Sequence, residues 1–368
     1  MKLPRVAWVM LLAATGLAVL FSALWQTSLL ADEDPARQLV ERGEFKQARA
    51  MLAPRLQANP RDAETAWLMS QVKIAFAEEK AGLELAEQAV ALDGGKAAYH
   101  LQLAEACGQM AQKAGPLKGL SLGKRFRRET EAAIRLDPRL VDARFDLMMF
   151  YLKAPGIAGG DKKKARALAD TIAGLDPVRG LIARGRLAIE LKDSVGAGEF
   201  YGQAVEAYPK SREAQMTAAS FYAGPSQSRW DRVEHHARAA LELDPRRAGP
   251  YALLAGTYAH LERWPDLEAI LERAESECPG NLNPHYQAGR TLLADGHDLA
   301  RAERYFRKYL SGEPEGLSPT LAHAHWRLGL VLEKQGRASE AIAELETALR
   351  LNPGLEDVKK DLKRMKRA

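Results

Sequence analysis

Residues 328–353 read LGLVLEKQGRASEAIAELETALRLNP, and this stretch shows the unit from which the chain is built. Two apolar helical runs are separated at Gly336 and closed by Leu351-Asn352-Pro353. Proline has no amide N–H and disfavours helical geometry in the residue before it, so this triplet ends one helix and separates it from the next. The stretch therefore predicts two antiparallel helices joined by a short turn.

The same boundary recurs along most of the chain. It appears as Leu136-Asp137-Pro138, Leu175-Asp176-Pro177 and Leu243-Asp244-Pro245, and in looser form at Pro60, Gly94, Pro209, Pro279 and Pro314. Successive boundaries are 34, 44, 39, 32, 36, 34, 35 and 39 residues apart. A fixed period near 34 residues is typical of stacked helical repeats, in which each unit packs on its neighbours. The boundaries delimit nine units.

Small residues occupy fixed places in these units. Alanine stands twelve residues before the boundary at Ala48, Ala165, Ala197, Ala302 and Ala341, and glycine 24 residues before it at Gly185 and Gly329. This pattern resembles the tetratricopeptide repeat over about residues 36–355. The resemblance implies an all-α α-solenoid of about nine helix-turn-helix repeats, which form a right-handed superhelix with the first helix of each unit on the concave face. Phe126, Val233 and Leu267 replace the alanine in three units, which predicts looser or shifted packing there.

The amino-terminal residues 1–31 have the pattern of an export segment. Lys2 and Arg5 precede 26 uncharged residues, Val6 to Ala31, and Asp32 begins the charged remainder. This length fits a cleaved signal peptide or a retained membrane anchor, and both remain open. Either one places the remainder outside the cytoplasm, in the periplasm or on the extracytoplasmic face of the inner membrane.

The remainder divides into a repeat solenoid at residues 32–354 and a basic carboxyl-terminal helix at residues 355–368. Apolar Leu355, Val358, Leu362 and Met365 recur at helical spacing, which favours a cap over the last repeat; docking to an anionic lipid or an acidic partner is the alternative. The formal net charge of the chain is +5, and residues 359–368 alone account for it. The solenoid is close to neutral, so nucleic acid is not an expected partner.

The sequence contains no recognisable catalytic or cofactor site. The eight histidines lack the spacing of a metal site, and no glycine-rich phosphate loop, dinucleotide motif or serine nucleophile motif is present. We therefore expect no enzyme activity, no cofactor and no metal. Cys107 and Cys278 fall in the third and seventh units, too far apart for a disulfide, and are predicted to be two separate buried thiols.

Two insertions stand between the helices of adjacent units, one near residues 115–124 and one at residues 155–160. Both are predicted to be loops that emerge side by side on one edge. The combination of these insertions with the repeats is similar to that of uncharacterised bacterial exported tetratricopeptide proteins. The candidate edge consists of Leu117, Lys118, Leu120, Leu122, Lys124, Lys162 and Lys163. It could dock a protein partner or anionic headgroups; alternatively, the leucines fold back onto neighbouring helices.

A second candidate surface is a groove near the carboxyl end. In the family that the chain resembles, positions two, five, six and nine of the first helix face the concave side. In the last two units these positions include Tyr286, Gln287, Arg290, His323, Trp326 and Arg327. Aromatic and arginine side chains suit an extended peptide or a carboxylate. The alternative is that Tyr286 and Trp326 pack within the repeats.

These features favour a non-catalytic protein-protein interaction scaffold or adaptor in the cell envelope. It would bind a partner protein or peptide through the concave face or the inserted edge. The alternative is a solute-binding or transport-accessory protein that holds a small anionic ligand in the groove, a hypothesis motivated by Arg290 and Arg327.

Overall fold

The structure is a computed structural model that describes residues 34–225, 227–316 and 319–367. The predicted export segment, residues 1–31, lies outside these residues. The described residues form nineteen α-helices, one short 3-10 helix and no strand, so the predicted all-α repeat fold is confirmed. None of these helices is long and apolar enough to cross a bilayer.

The helices pair into nine units of a first helix, A, and a second helix, B, with one helix left at the end. In chain order the pairs are α1 (Pro35–Arg42) and α2 (Phe45–Ala58), α3 (Ala63–Ala75) and α4 (Glu79–Leu92), α5 (Ala97–Lys113) and α6 (Pro116–Leu136), α7 (Val141–Lys153) and α8 (Lys162–Leu175), α9 (Pro177–Glu190) and α10 (Ser194–Ala207), α11 (Arg212–Tyr222) and α12 (Trp230–Leu243), α13 (Ala248–His260) and α14 (Trp264–Glu277), α15 (Asn283–Asp295) and α16 (Leu299–Leu310), and α17 (Leu321–Lys334) and α18 (Ala338–Leu351). The remaining helix is α19 (Glu356–Met365).

The Leu-Asp-Pro and Leu-Asn-Pro boundaries work through the side chain of their middle residue. The side-chain oxygens of Asp137, Asp244 and Asn352 each accept a hydrogen bond from the backbone N–H two residues later, at 2.8, 3.1 and 3.0 Å. This local bond offers the chain a turn in place of continued helix. Asp176 differs because α9 begins at once, and its carboxylate caps that helix by accepting from Arg179 N at 3.0 Å.

Small residues let helices A and B approach closely. Ala48, Ala165, Ala197, Ala302 and Ala341 are all fully buried, and a Cβ on Gly329 would stand 2.1 Å from Leu345 Cδ1. Where Phe126 replaces the alanine in α6, Gly108 lies opposite it on α5, and a Cβ there would meet the Phe126 ring at 3.2 Å. The large side chain is thus matched by a small one on the partner helix, while Val233 and Leu267 are themselves fully buried.

The prediction of a loop at residues 115–124 was wrong. Pro116 opens α6, which continues to Leu136 without a break, so the extra residues lengthen helix B at its amino-terminal end. The physical reason is that proline at the first helical position fixes helical φ without losing a needed donor, and the next proline, Pro138, comes only after Leu136. The insertion at residues 155–160 remains irregular and contains the 3-10 helix Gly156–Ala158.

The carboxyl-terminal helix α19 packs on the last unit. Val358 and Met365 are buried in the apolar cluster that runs through the carboxyl-terminal half of the solenoid, and Leu355 and Leu362 pack against it. Basic side chains on its outer side pair with acidic residues of the last unit, as Arg364 does with Glu333 and Lys366 with Glu346.

The first unit touches turns that are far away in sequence, and we call this the closing contact. Lys46 Nζ of α2 donates to Gly280 O and to Glu313 O, both at 2.9 Å, and lies 3.1 Å from Glu315 Oε2. Lys46 N donates to Glu315 Oε1 at 2.8 Å, and Arg49 Nη2 lies 2.6 Å from Glu313 Oε1. The solenoid therefore curves far enough for its first unit to meet the turns that follow α14 and α16.

Candidate functional site

Charged side chains link three consecutive A helices in the middle of the solenoid. Arg179 of α9 lies 2.7 Å from Asp142 Oδ1 of α7 through Nη2, and 3.2 Å from Glu213 Oε1 of α11 through Nε. Its guanidinium also lies 5.4 Å from the ring centre of Phe145. One cation therefore bridges units four, five and six and fixes the spacing of their A helices.

Acidic side chains lie on the α5 and α7 side of Arg179. The side chain of Glu105 in α5 is exposed, although many protein atoms lie within longer range of its carboxyl group. This desolvation, reinforced by Asp146 and Asp142, raises the pKa of Glu105 to about 8. Desolvation and Asp142 also raise the pKa of Asp146 to about 6. Neither Glu105 nor Asp146 has an ion-pair partner among the described residues.

Basic side chains lie on the other side of Arg179. Arg186 of α9 and Arg212 of α11 form no ion pair with any residue that the structure describes. Together with Arg179 and Glu213 they line an open pocket of about 400 Å³, which Met216, Thr217 and Ser220 complete. The middle of the solenoid thus presents unpaired acids on units three and four and unpaired arginines on units five and six.

The aromatic residues of the predicted carboxyl-terminal groove are occupied by contacts within the protein. Tyr286 is buried, with its ring 5.5 Å from Phe306 and 5.2 Å from Tyr309. Trp326 Nε1 donates to Asp361 Oδ2 of α19 at 2.9 Å. The packing alternative therefore describes both rings better than the binding-groove hypothesis.

The polar side chains of that predicted groove, except Arg290, contact residues close to them in sequence. Gln287 Nε2 donates to Asn283 Oδ1 at 3.1 Å, and His323 Nδ1 lies 2.7 Å from Thr320 Oγ1. The Arg327 guanidinium stacks over Trp326, 4.3 Å from its ring centre. Arg290 is exposed and makes no ion pair with a described residue. Apart from Arg290, these polar side chains therefore contact other side chains of the protein.

The predicted edge brings its two insertions together. A cleft of about 590 Å³ is lined on one side by Ser121, Lys124 and Arg128 of α6 and on the other by the turn at residues 156–159. Leu122 is buried and Leu120 half-buried, so these two leucines fold back onto the protein. Leu117 is 88% exposed. Lys118, Lys162 and Lys163 are exposed as well.

The two cysteines are free thiols and differ in their surroundings. Cys107 is buried in α5, and burial raises its pKa to about 11. Cys278 is only half-buried because it follows the end of α14, beside the closing contact, so the prediction of burial was wrong for this residue. In the described part of the chain, no group of three or more histidine, cysteine or carboxylate side chains could hold a metal ion.

A family model for the tetratricopeptide repeat matches residues 322–355, which cover α17 from its second residue, α18 and the turn after them. Residues 322–355 form a tetratricopeptide repeat. The resemblance expected from the sequence is therefore confirmed. No curated protein sequence matches the chain.

Several solved structures are similar to the chain. A thermophilic tetratricopeptide repeat protein of Thermus thermophilus is 20% identical over 51% of this chain and 96% of its own, with a TM-score of 0.45. A tetratricopeptide repeat protein of Parabacteroides merdae is 16% identical over 71% of this chain and 98% of its own, with a TM-score of 0.45. The Cut9–Hcn1 hetero-tetramer of the APC/C is 14% identical over 90% of this chain and 75% of the matched chain, with a TM-score of 0.44.

The tetratricopeptide numbering accounts for the central charged residues that the sequence analysis missed. When helix A starts at Ala97 in the third unit, Glu105 takes position nine. The same count gives Asp142 and Asp146 positions two and six in the fourth unit. Counting from Val178 in the fifth unit and from Arg212 in the sixth, concave positions fall on Arg179, Arg186, Glu213, Met216, Thr217 and Ser220. The position numbering that identifies concave residues in the last two units therefore also identifies these central residues from the sequence.

Proposed function

We propose that this protein is a non-catalytic scaffold of the cell envelope that binds an extended segment of a partner protein along the middle of its concave face. The observation that carries the proposal is the separation of unpaired acidic and basic side chains across Arg179. Glu105 and Asp146 lie on one side, and Arg186 and Arg212 lie on the other.

This arrangement favours a peptide with charges of both signs. A lysine or arginine of the partner would lie over the acidic side, and a carboxylate would reach the arginines on the other side. Arginine binds carboxylates through two parallel hydrogen bonds, which would fix the direction of the peptide as well as its position. Arg179 already has two acidic partners, so it supports the surface without offering a free cation.

Photocrosslinking from the concave surface tests the proposal. A photoreactive amino acid in place of Met216 should capture a partner from envelope extract. The double substitution Arg186→Glu and Arg212→Glu should reduce capture by at least about tenfold, since each lost charge-assisted contact is worth about 1.5 to 3 kcal/mol.

Arg184→Glu is the matched control. Arg184 lies on the same helix as Arg186 but faces α8, where its Nη2 contacts Asp170 Oδ1 at 3.1 Å. This control should keep full capture. Capture that persists in the Arg186 and Arg212 double variant would contradict the proposed surface.

The pocket beside Arg186 and Arg212 also supports a second candidate function, the binding of a small anionic solute. Its volume of about 400 Å³ is within the range of small-molecule sites. Thermal unfolding with a panel of organic acids and short peptides separates the two functions. A large stabilisation by a small acid, lost in the double variant, would favour the solute; stabilisation by a peptide alone would favour the scaffold.

The envelope location rests on the sequence of residues 1–31 and is tested separately. A fusion of these residues to a reporter enzyme that is active only after export should be active outside the cytoplasm. A fusion with Val6–Ala31 deleted should be inactive there. Equal activity of the two fusions would overturn the proposed location without affecting the binding surface.

A further inference from the structure

Three strongly exposed apolar side chains lie on one edge of the solenoid. Leu117 is 88% exposed, Ile157 is 86% exposed and Val195 is 75% exposed, the highest values among the exposed large apolar side chains of the described residues. Each lies at the connection between helix A and helix B, in units three, four and five respectively. Because neighbouring units repeat the same orientation, these side chains follow one another as a row along this edge, with Leu117 carried further out by the amino-terminal extension of α6.

Unpaired lysines surround this row. Lys118 and Lys124 belong to α6, Lys162 and Lys163 to the first turn of α8, and Lys192 precedes α10. None of the five forms an ion pair with a residue that the structure describes, whereas Lys113 and Lys153 nearby do. The acids at the start of α8 and α10 are used internally, since Asp161 and Asp193 accept hydrogen bonds from the backbone of their own helices.

The lysines of α8 lie at the end of the helix where positive charge is unfavourable. The amino-terminal end of a helix carries partial positive charge, which favours acidic side chains and disfavours lysine by a few tenths of a kcal/mol or more. Lys162, Lys163 and Lys164 nevertheless fill the first turn of α8. This electrostatic destabilisation of α8 is consistent with lysines that serve binding rather than stability.

The cleft between α6 and the turn at residues 156–159 joins these features into one surface. Lys124 lines it, and Leu117 precedes Ser121 of the lining by one helical turn, on the same side of α6. The arginines of the cleft are less available, because Arg125, Arg127 and Arg128 each contact a glutamate. The free positive charge of this edge is therefore mainly lysine.

We propose that this edge docks on an anionic lipid bilayer, with Leu117, Ile157 and Val195 entering the headgroup region and the lysines contacting lipid phosphates. Surfaces that lie at a membrane interface combine apolar side chains that enter the headgroup boundary with lysines or arginines that attract anionic lipids. Each lysine near an anionic surface adds about fivefold to the affinity. A protein partner fits less well, because protein interfaces are depleted of lysine at their core and the row offers no continuous apolar patch.

An environment-sensitive fluorophore at position 117 tests the docking in the full chain. Leu117→Cys is made together with Cys278→Ser, because Cys278 is partly exposed whereas Cys107 is buried. The labelled protein is reconstituted into phosphatidylcholine vesicles, with or without about 30% phosphatidylglycerol. We expect a blue shift of the emission only with phosphatidylglycerol, reversed by about 1 M salt, which reduces the screening length to about 3 Å.

Two comparisons make the test specific. A fluorophore at Leu351, which is 53% exposed at the end of α18, should show no shift with phosphatidylglycerol. Replacement of Lys118, Lys124, Lys162 and Lys163 by glutamine should remove the shift at position 117, because four lysines at about fivefold each correspond to several hundred-fold in partition.

Three results would overturn the proposal. They are an equal shift without anionic lipid, an equal shift at position 351, and crosslinking of position 117 to a protein without any lipid-dependent shift. The proposal is independent of the concave surface, so Arg186→Glu with Arg212→Glu should leave the shift at position 117 unchanged.

Discussion

Replacing Lys46 with methionine should release the first unit from the rest of the solenoid. Methionine keeps most of the apolar stem of lysine and removes only the amino group. That group donates to two backbone carbonyl oxygens at 2.9 Å and lies 3.1 Å from the carboxylate of Glu315, whose side chain is only 8% exposed. The substitution therefore leaves a poorly solvated carboxylate without its counter-charge.

The size of the effect follows from what Glu315 retains. Removing one partner of a buried ion pair costs about 3 to 5 kcal/mol. Glu315 keeps one bond from Lys46 N at 2.8 Å, and Lys46 itself is 25% exposed, so we expect a loss of about 2 kcal/mol. In a repeat array this loss falls on the unit concerned rather than on the whole chain, since units unfold semi-independently.

Hydrogen exchange measured by mass spectrometry is the appropriate assay. Peptides from residues 35–58 should exchange about 30-fold faster, the equivalent of about 2 kcal/mol, while peptides from α9 to α12 should be unchanged. Lys80→Met is the control, because Lys80 is 86% exposed and lies 3.9 Å from Glu84. Unchanged protection of residues 35–58, or equal loss of protection throughout the chain, would refute the reasoning.

The same variant has a pH dependence with a definite sign. Burial raises the pKa of Glu315 above its usual value of 4.5, although Lys46 opposes the shift. The folded state therefore holds this proton more tightly than the unfolded chain, and the free energy of unfolding falls as pH rises from about 4.5 through the raised pKa. Removing Lys46 raises the pKa further, so the loss in the variant should be larger at about pH 8 than at about pH 5.

Three further predictions concern packing, the last helix and the acidic residues. Gly329→Ala should lower the free energy of unfolding by about 1 to 2 kcal/mol, because the new Cβ overlaps the buried side chain of Leu345. Gly202→Ala is the control: no neighbouring atom lies within 4 Å of the new Cβ, so the free energy of unfolding should rise by up to about 1 kcal/mol. Denaturant titrations measure both changes. Asp361→Ala should cost about 1 to 2 kcal/mol and change the fluorescence of Trp326, whose indole loses its acceptor; unchanged fluorescence would contradict that contact. Because the pKa of Glu105 is raised from 4.5 to about 8, the free energy of unfolding should fall as pH rises across that interval. Glu105→Gln should remove part of this fall. The part removed should be smaller than the full pKa shift implies, because solvent reaches the side chain.

The regular part of the fold could be predicted because each boundary carries its own local chemistry. Pro138, Pro245 and Pro353 end helices for covalent reasons, and the Asx side chains before them form hydrogen bonds within two residues. The extension of α6 could not be predicted in this way. Gly115 to Lys124 contains three glycines and a proline, which suggest a loop by composition, while the position of Pro116 at the start of the helix decides the outcome.

The candidate site was predicted less well, because exposure depends on contacts between helices that meet only when the chain folds. The sequence places Tyr286 and Trp326 at concave positions, but it does not show that Phe306 and Tyr309 cover the first or that Asp361 binds the second. The pairing of Arg179 with acids 37 residues before it and 34 residues after it likewise appears only when the units stack.

The match between Gly108 and Phe126 limits how the repeats of this chain could be exchanged. In five units the close contact lies on a fully buried alanine of helix B, at Ala48, Ala165, Ala197, Ala302 and Ala341. In the third unit the large ring of Phe126 needs the space at Gly108, and on its other side it stacks on Phe150 of the fourth unit at 5.5 Å. Units three and four are therefore tied to each other, and a duplication or deletion that separates them would lose both this stacking and the cleft beside it.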